Sequence, residues 1–178
     1  METVELPQPR RFIFGMGTIK KLDEIIKHLN TAKPLLIVDE GVSKIGLVDR
    51  VLGILSDYNI KVYSHIRSEP TLAMADTVTS MVRHGDYDVI IGLGGGSTLD
   101  LAKIASIMYT NPGKISDYFK KEIAKPALPK VLIPTTAGSG SETSSFAVVK
   151  CEDEVKRFIC GPDVVADIAI VDPELTKS

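Results

Sequence analysis

The chain has 178 residues, with 21 Lys and Arg against 23 Asp and Glu, a formal net charge of −2 when the histidines are neutral. That length suits one globular domain over residues 1–178, and the near-neutral balance excludes the usual basic footprint of a nucleic-acid binder. Hydrophobic residues make up 44% and charged residues 25%, an ordinary folded composition rather than a disordered one. Two cysteines build no disulfide framework. No apolar run reaches the ~18 residues of a membrane span, and the polar start up to Arg11 has no apolar export core. A cytoplasmic protein acting away from membranes is expected.

Arg11–Phe14 reads as a strand, at a sheet edge or against a partner chain, and runs into Phe14-Gly15-Met-Gly17. The stretch 18–29 is amphipathic through Ile19, Leu22, Ile25, Ile26 and Leu29. A strand at 35–38 ends in Asp39, and the pattern continues with a helix over 42–55, a strand at 60–63 and a helix over 73–83. The strand at 89–93 leads into a helix over 97–109 that is apolar around most of its circumference, which predicts burial. Strands at 131–133 and 168–171 follow, with a hairpin of 146–150 and 155–160 inserted before the last. The strands are almost continuously apolar, as parallel strands covered on both faces must be. Strand and helix alternate, which gives crossover units and an α/β, doubly wound, mainly parallel, Rossmann-like sheet carrying an inserted β-hairpin. Asp172-Pro-Glu-Leu-Thr176 looks like the start of another helix, as though a neighbouring domain were missing, and apolar surface around Leu175 is expected to be exposed.

The strongest local signal is the strand that runs into Gly94-Gly95-Gly96 and then a helix opening at Ser97 or Thr98. Glycines let an anion approach the backbone, and the first amides of a helix carry partial positive charge. Ser97 is placed as the N-cap, with a hydroxyl to offer an anion, and Asp100 one turn in complements the helix dipole. A tight turn that needs glycine for geometry alone is the plainer alternative. Neither this turn nor Gly15-Met-Gly17, a competing phosphate loop, completes Gly-x-Gly-x-x-Gly, and the second reads as a turn signal. Asp39, at the tip of its strand, is placed to accept ribose hydroxyls and to repel a 2′-phosphate, or merely to cap the next helix. Thr135, Thr136 and Ser139 stand in a hydroxyl- and glycine-rich loop directly after a strand, where α/β sheets bind ligands, with a flexible Ser/Gly linker the plainer alternative. His28, His65 and His84 have no ligand spacing, and Cys151 and Cys160 no metal grouping, so a metal site is not expected within the chain. A kinase or phosphatase would need an acid cluster, and Asp86 and Asp88 lie at the wrong end of their strand.

Gly94-Gly-Gly-Ser-Thr-Leu-Asp-Leu-Ala-Lys103 and Pro134-Thr-Thr-Ala-Gly-Ser-Gly-Ser-Glu142 resemble the motifs of the iron-containing (group III) alcohol dehydrogenases. Phe14-Gly-Met-Gly17, Asp39 and Val171-Asp-Pro-Glu-Leu-Thr176 stand in matching places, so the resemblance runs along essentially the whole chain. It implies a nucleotide-binding α/β domain, followed in the family by a helical domain, with catalysis in the cleft between. Asp39 would then hold the adenosine ribose and favour NAD over NADP, while Gly94, Gly95, Gly96 and Ser97 meet the pyrophosphate. Asp100 would face the nicotinamide side, Thr135, Thr136 and Ser139 would line the cofactor groove, and Lys156 in the hairpin would reach the nucleotide. Where the family often has Pro-Asn-Pro this chain has Glu69-Pro70-Thr71. The family's Fe²⁺ or Zn²⁺ ligands, an Asp and three His, belong to the helical domain, so these residues are expected to bind NAD without turnover. The full-length protein would be a homo-oligomeric NAD-dependent dehydrogenase of a primary or polyol alcohol. A glycerol-1-phosphate dehydrogenase- or dehydroquinate synthase-like enzyme, and a non-catalytic nucleotide-binding module, remain open as alternatives.

Overall fold

The computed structural model describes residues 7–66 and 69–177. Its strands are β1 (Arg11–Phe14), β2 (Pro34–Asp39), β3 (Lys61–Ile66), β4 (Val89–Gly94), β5 (Lys130–Pro134), β6 (Phe146–Lys150), β7 (Lys156–Cys160) and β8 (Ile168–Val171). Its α-helices are α1 (Leu22–His28), α2 (Glu40–Lys44), α3 (Leu47–Ile54), α4 (Leu72–His84) and α5 (Gly96–Thr110).

Six strands form one sheet in the order β1-β8-β5-β4-β2-β3, parallel at every pairing. The expected doubly wound sheet is therefore present, and β1 takes an edge position beside β8. Every residue of β4 and β5 is buried, and apart from Lys130, which opens β5 beside Asp167, their sequences read as apolar runs. Alternate side chains feed two cores. Leu35, Ile37, Ile90 and Leu132 pack under α4 and α5, whereas Leu36, Val38, Ile91 and Ile133 pack against α1 and α3. At Gly92 an added Cβ would lie 2.8 Å from Ala102 Cβ, so α5 rests directly on β4.

The hairpin is antiparallel and forms its own two-stranded sheet, with Ala147, Val149 and Ile159 turned into the core beneath α4 and α5. The irregular connection before β5 is pinned by Asn111, whose amide group donates to Lys125 O at 2.9 Å and accepts from Lys125 N at 2.9 Å.

Three expectations need correction. The helix over 42–55 is two helices, because Gly46 adopts φ 78° and starts a second one. Residues 18–29 open with a 3-10 turn, Thr18–Lys21, before α1. Leu175, in the closing 3-10 turn Pro173–Thr176, is buried at 4% exposure within the core shared with α1 and β8. The exposed large apolar side chains include Phe12 and Phe14 on the edge strand and Phe146 and Phe158 on the hairpin. Among the described residues no helix is long and apolar enough to cross a membrane.

Candidate functional site

Strand order reverses between β2 and β4: one branch of the chain goes out to β3, the other to β5. In open α/β sheets ligands bind outside the carboxyl ends of the strands at that switch point. Asp39 ends β2 and Gly94 ends β4, so the topology itself brings these two predicted residues together.

Asp39 is the N-cap of α2, its Oδ1 accepting from Val42 N at 2.9 Å. Its Oδ2 accepts from Thr98 Oγ1 at 3.2 Å, which ties β2 to the first turn of α5. The capping role and the position in the crevice wall thus coexist. A carboxylate offers about four acceptor sites, so two such bonds leave room for a diol. Gly94 makes the bridge possible: at φ 157°, an added Cβ would sit 2.7 Å from both Asp39 Oδ2 and Thr98 Oγ1.

The N-cap of α5 is Gly95, not Ser97, and no side chain caps the helix. Ser97 stands one residue inside the helix start. Thr98 N and Leu99 N both donate to Gly95 O, while the amides of the opening residues have no carbonyl within the helix to bond. No acidic residue falls in the first turn. By contrast α2 and α4 are capped by the side chains of Asp39 and Thr71. An added Cβ at Gly95 would meet nothing nearer than Thr136 at 3.5 Å. The fold therefore tolerates a side chain there, and what its absence provides is open space above the helix start. Gly96 differs, because a Cβ would lie 2.8 Å from Ser139 Cβ.

Two crevices meet at Ser97. One is walled by Asp39, Gly41, Ile66, Gly95, Thr98 and Thr136, the other by Glu69, Pro70, Asp100, Val148, Lys150 and Lys156. The loop after β5 forms the far wall: Thr135 N donates to Gly94 O at 3.0 Å, and Ser139 packs on Gly96. Lys156 closes the second crevice through an ion pair with Glu69 at 2.6 Å. Both partners are more than half exposed, so the pair contributes little to stability.

Asp100 is not a solvated first-turn acid. Its Oδ1 accepts from Ser141 Oγ at 2.6 Å and its Oδ2 from Val148 N at 3.1 Å. Burial raises its carboxyl above the usual range, against the opposing pull of Ser141 and Lys103. Sequence reasoning missed Lys103, which is fully buried and donates to Ser144 O, Ser144 Oγ and Phe146 O. The signal was available: a lysine midway along a helix that is apolar nearly all round has only the interior to enter. Asp88, by contrast, accepts from Ala32 N at 2.7 Å and Lys33 N at 2.8 Å, a structural task far from the crevices. Among the described residues no group of three or more His, Cys, Asp or Glu is placed to hold a metal ion.

A family model described as iron-containing alcohol dehydrogenase matches residues 9–173. Long-chain-alcohol dehydrogenase 1 of Geobacillus thermodenitrificans is 39% identical over 170 residues, covering 92% of this chain and 43% of that protein. An alcohol dehydrogenase from Oenococcus oeni shares the fold with a TM-score of 0.91 at 29% identity, over 98% of this chain and 47% of its own. Sulfoacetaldehyde reductase from Bifidobacterium kashiwanohense, solved in complex with NAD+, gives 0.90 at 25% identity, over 99% and 48%. The chain spans less than half the length of these relatives.

Proposed function

The chain belongs to the iron-containing alcohol dehydrogenase family, and from that premise we propose that the groove across the start of α5 binds NAD, in a protein that oxidises a primary or polyol alcohol. The observation that carries this reading is the uncapped, glycine-lined start of α5 at the switch point of the sheet. A diphosphate there receives backbone amides from Gly95, Gly96 and Ser97, with the Ser97 hydroxyl as a further donor. Gly94 keeps Asp39 within reach of the adenosine ribose, where its carboxylate accepts the hydroxyls and repels the 2′-phosphate of NADP. Thr135, Thr136 and Ser139 form the wall that shuts water from the diphosphate. Asp100 and Lys156 border the crevice assigned to the nicotinamide half. Bound NAD supplies the acceptor for the hydride leaving the alcohol carbon.

The described residues do not fit a metal site, and no step of alcohol activation is placed on them. Support for the cofactor comes from a similar chain solved with NAD+, and support for an alcohol substrate from the alcohol dehydrogenases named above. The polyol-phosphate and non-catalytic readings draw no support from these relatives.

Titration calorimetry with NAD, ADP-ribose and NADP tests the proposal. NAD and ADP-ribose should bind one site each, with NADP at least several-fold weaker. Absence of binding by both NAD and ADP-ribose, or a preference for NADP, would overturn it.

A further inference from the structure

Lys103 follows Asp100 by one turn of α5, with no exposed side-chain surface. Its ammonium donates to Phe146 O at 2.7 Å and to Ser144 O and Oγ at 3.1 Å each, and it lies 3.6 Å from Asp100 Oδ1. Asp100 in turn holds Ser141 and the amide of Val148. Residues three apart share one helix face, so this single face grips the chain at Ser141, Ser144, Phe146 and Val148. The gripped segment follows Ser139, which packs on Gly96 at one end of the groove, and continues into Val148 and Lys150, which wall the other.

We propose that Lys103 and Asp100 are positioning residues that set the width of the dinucleotide groove, by tying segment 141–148 to the helix whose first turn forms the opposite wall. This rests on the groove being the dinucleotide site. Burying an ammonium is costly, but a lone apolar replacement would carry its own cost. It would leave the Ser144 and Phe146 carbonyls and the Asp100 carboxylate without this donor, so the lysine is no interchangeable filler. Three acceptors and a carboxylate arranged about one charge specify a geometry.

The grip depends on the proton. Burial pushes the Lys103 ammonium down to about 8, against the attraction of Asp100 on its own helix and Glu142 in the loop, and Lys130 on β5 adds repulsion. Loss of the proton removes one N–H and the charge facing Asp100, so the groove loosens as pH rises through about 8. The stability linkage has the opposite sign. The unfolded chain keeps the proton up to the ordinary lysine value of 10.5, so in that window the unfolded state binds more protons and this group's contribution to stability rises with pH. Affinity that falls while the same residue's stability contribution rises is a pattern that a merely structural lysine would not produce.

Calorimetric titration of NAD into the wild-type chain and Lys103→Met at pH 7 and pH 9.5, with thermal melts alongside, tests this. At pH 7 the variant should bind about tenfold more weakly, the scale of one lost charged hydrogen bond. The gap should narrow at pH 9.5 while the melting temperature shifts in favour of wild type relative to the variant. Equal affinities at pH 7, or a gap that does not narrow, overturn the positioning role and leave the NAD site standing. No NAD binding by wild type overturns both. Should Lys103→Met fail to fold, Ser144→Ala replaces it: affinity several-fold weaker at pH 7 supports the grip, and unchanged affinity refutes it.

Discussion

Two glycine turns leave the carboxyl ends of β1 and β4, with β8 and β5 between them, and lead into helical structure, yet only one is open to a ligand. Gly15–Gly17 follows β1 and enters the 3-10 turn Thr18–Lys21; Gly94–Gly96 follows β4 and enters α5. At the first turn the protein supplies its own anion. Asp172, with no exposed surface, accepts from Gly17 N at 3.0 Å, Ile19 N at 3.1 Å and Glu174 N at 3.1 Å. It reaches them because β1 and β8 are paired in register, Phe14 opposite Val171. At the second turn no side chain caps the helix. A glycine turn after a strand is therefore left available to a ligand only where the fold has not already given its amides an acceptor.

Removing the internal anion should have the largest effect. Asp172→Ala leaves buried amides without an acceptor and should cost roughly 3 kcal/mol of stability, read from urea denaturation, because each unsatisfied buried group costs about 1–3 kcal/mol. The folded fraction should still bind NAD, since the damage falls on the other turn. Filling the open turn should do the reverse. Gly95→Ala is expected to weaken NAD about tenfold or more by calorimetry, while stability changes by no more than about 1 kcal/mol. Retained affinity in that variant would return the turn to a purely geometric role. The smallest effect is expected for Asp39→Asn, because asparagine caps a helix about as well as aspartate. Its melting temperature should barely move, and its preference for NAD over NADP should narrow several-fold; an unchanged ratio would leave Asp39 only its capping task.

The parallel sheet was legible because strands buried on both faces must be almost wholly apolar, as β4 is and as β5 is after Lys130. The glycine-rich turn and the acid at the tip of β2 were legible for a related reason: a sheet exposes its chemistry where its strands stop. What local pattern did not carry was competition between partners. Ser97 has the chemistry of an N-cap, but Gly95 takes that position, which leaves the hydroxyl inside the first turn. The helix over 42–55 keeps an amphipathic pattern across Gly46, although the backbone changes hand there. Asp100 has the spacing of a dipole-stabilising acid, and only the fold of the hairpin reveals that Ser141 and Val148 claim it. Leu175 and Asp172 likewise depend on where the closing turn packs, which is a long-range fact.

The most direct measurement is amide NMR of the chain during titration with NAD, comparing the two turns in one experiment. The amides of Gly95, Gly96 and Ser97 should show the largest shifts, with ADP-ribose reproducing them, while Gly17 and Ile19 remain where they are. Shifts centred on Gly17 and Ile19, or none at the start of α5 under saturating NAD, would contradict the assignment of the diphosphate to the uncapped turn.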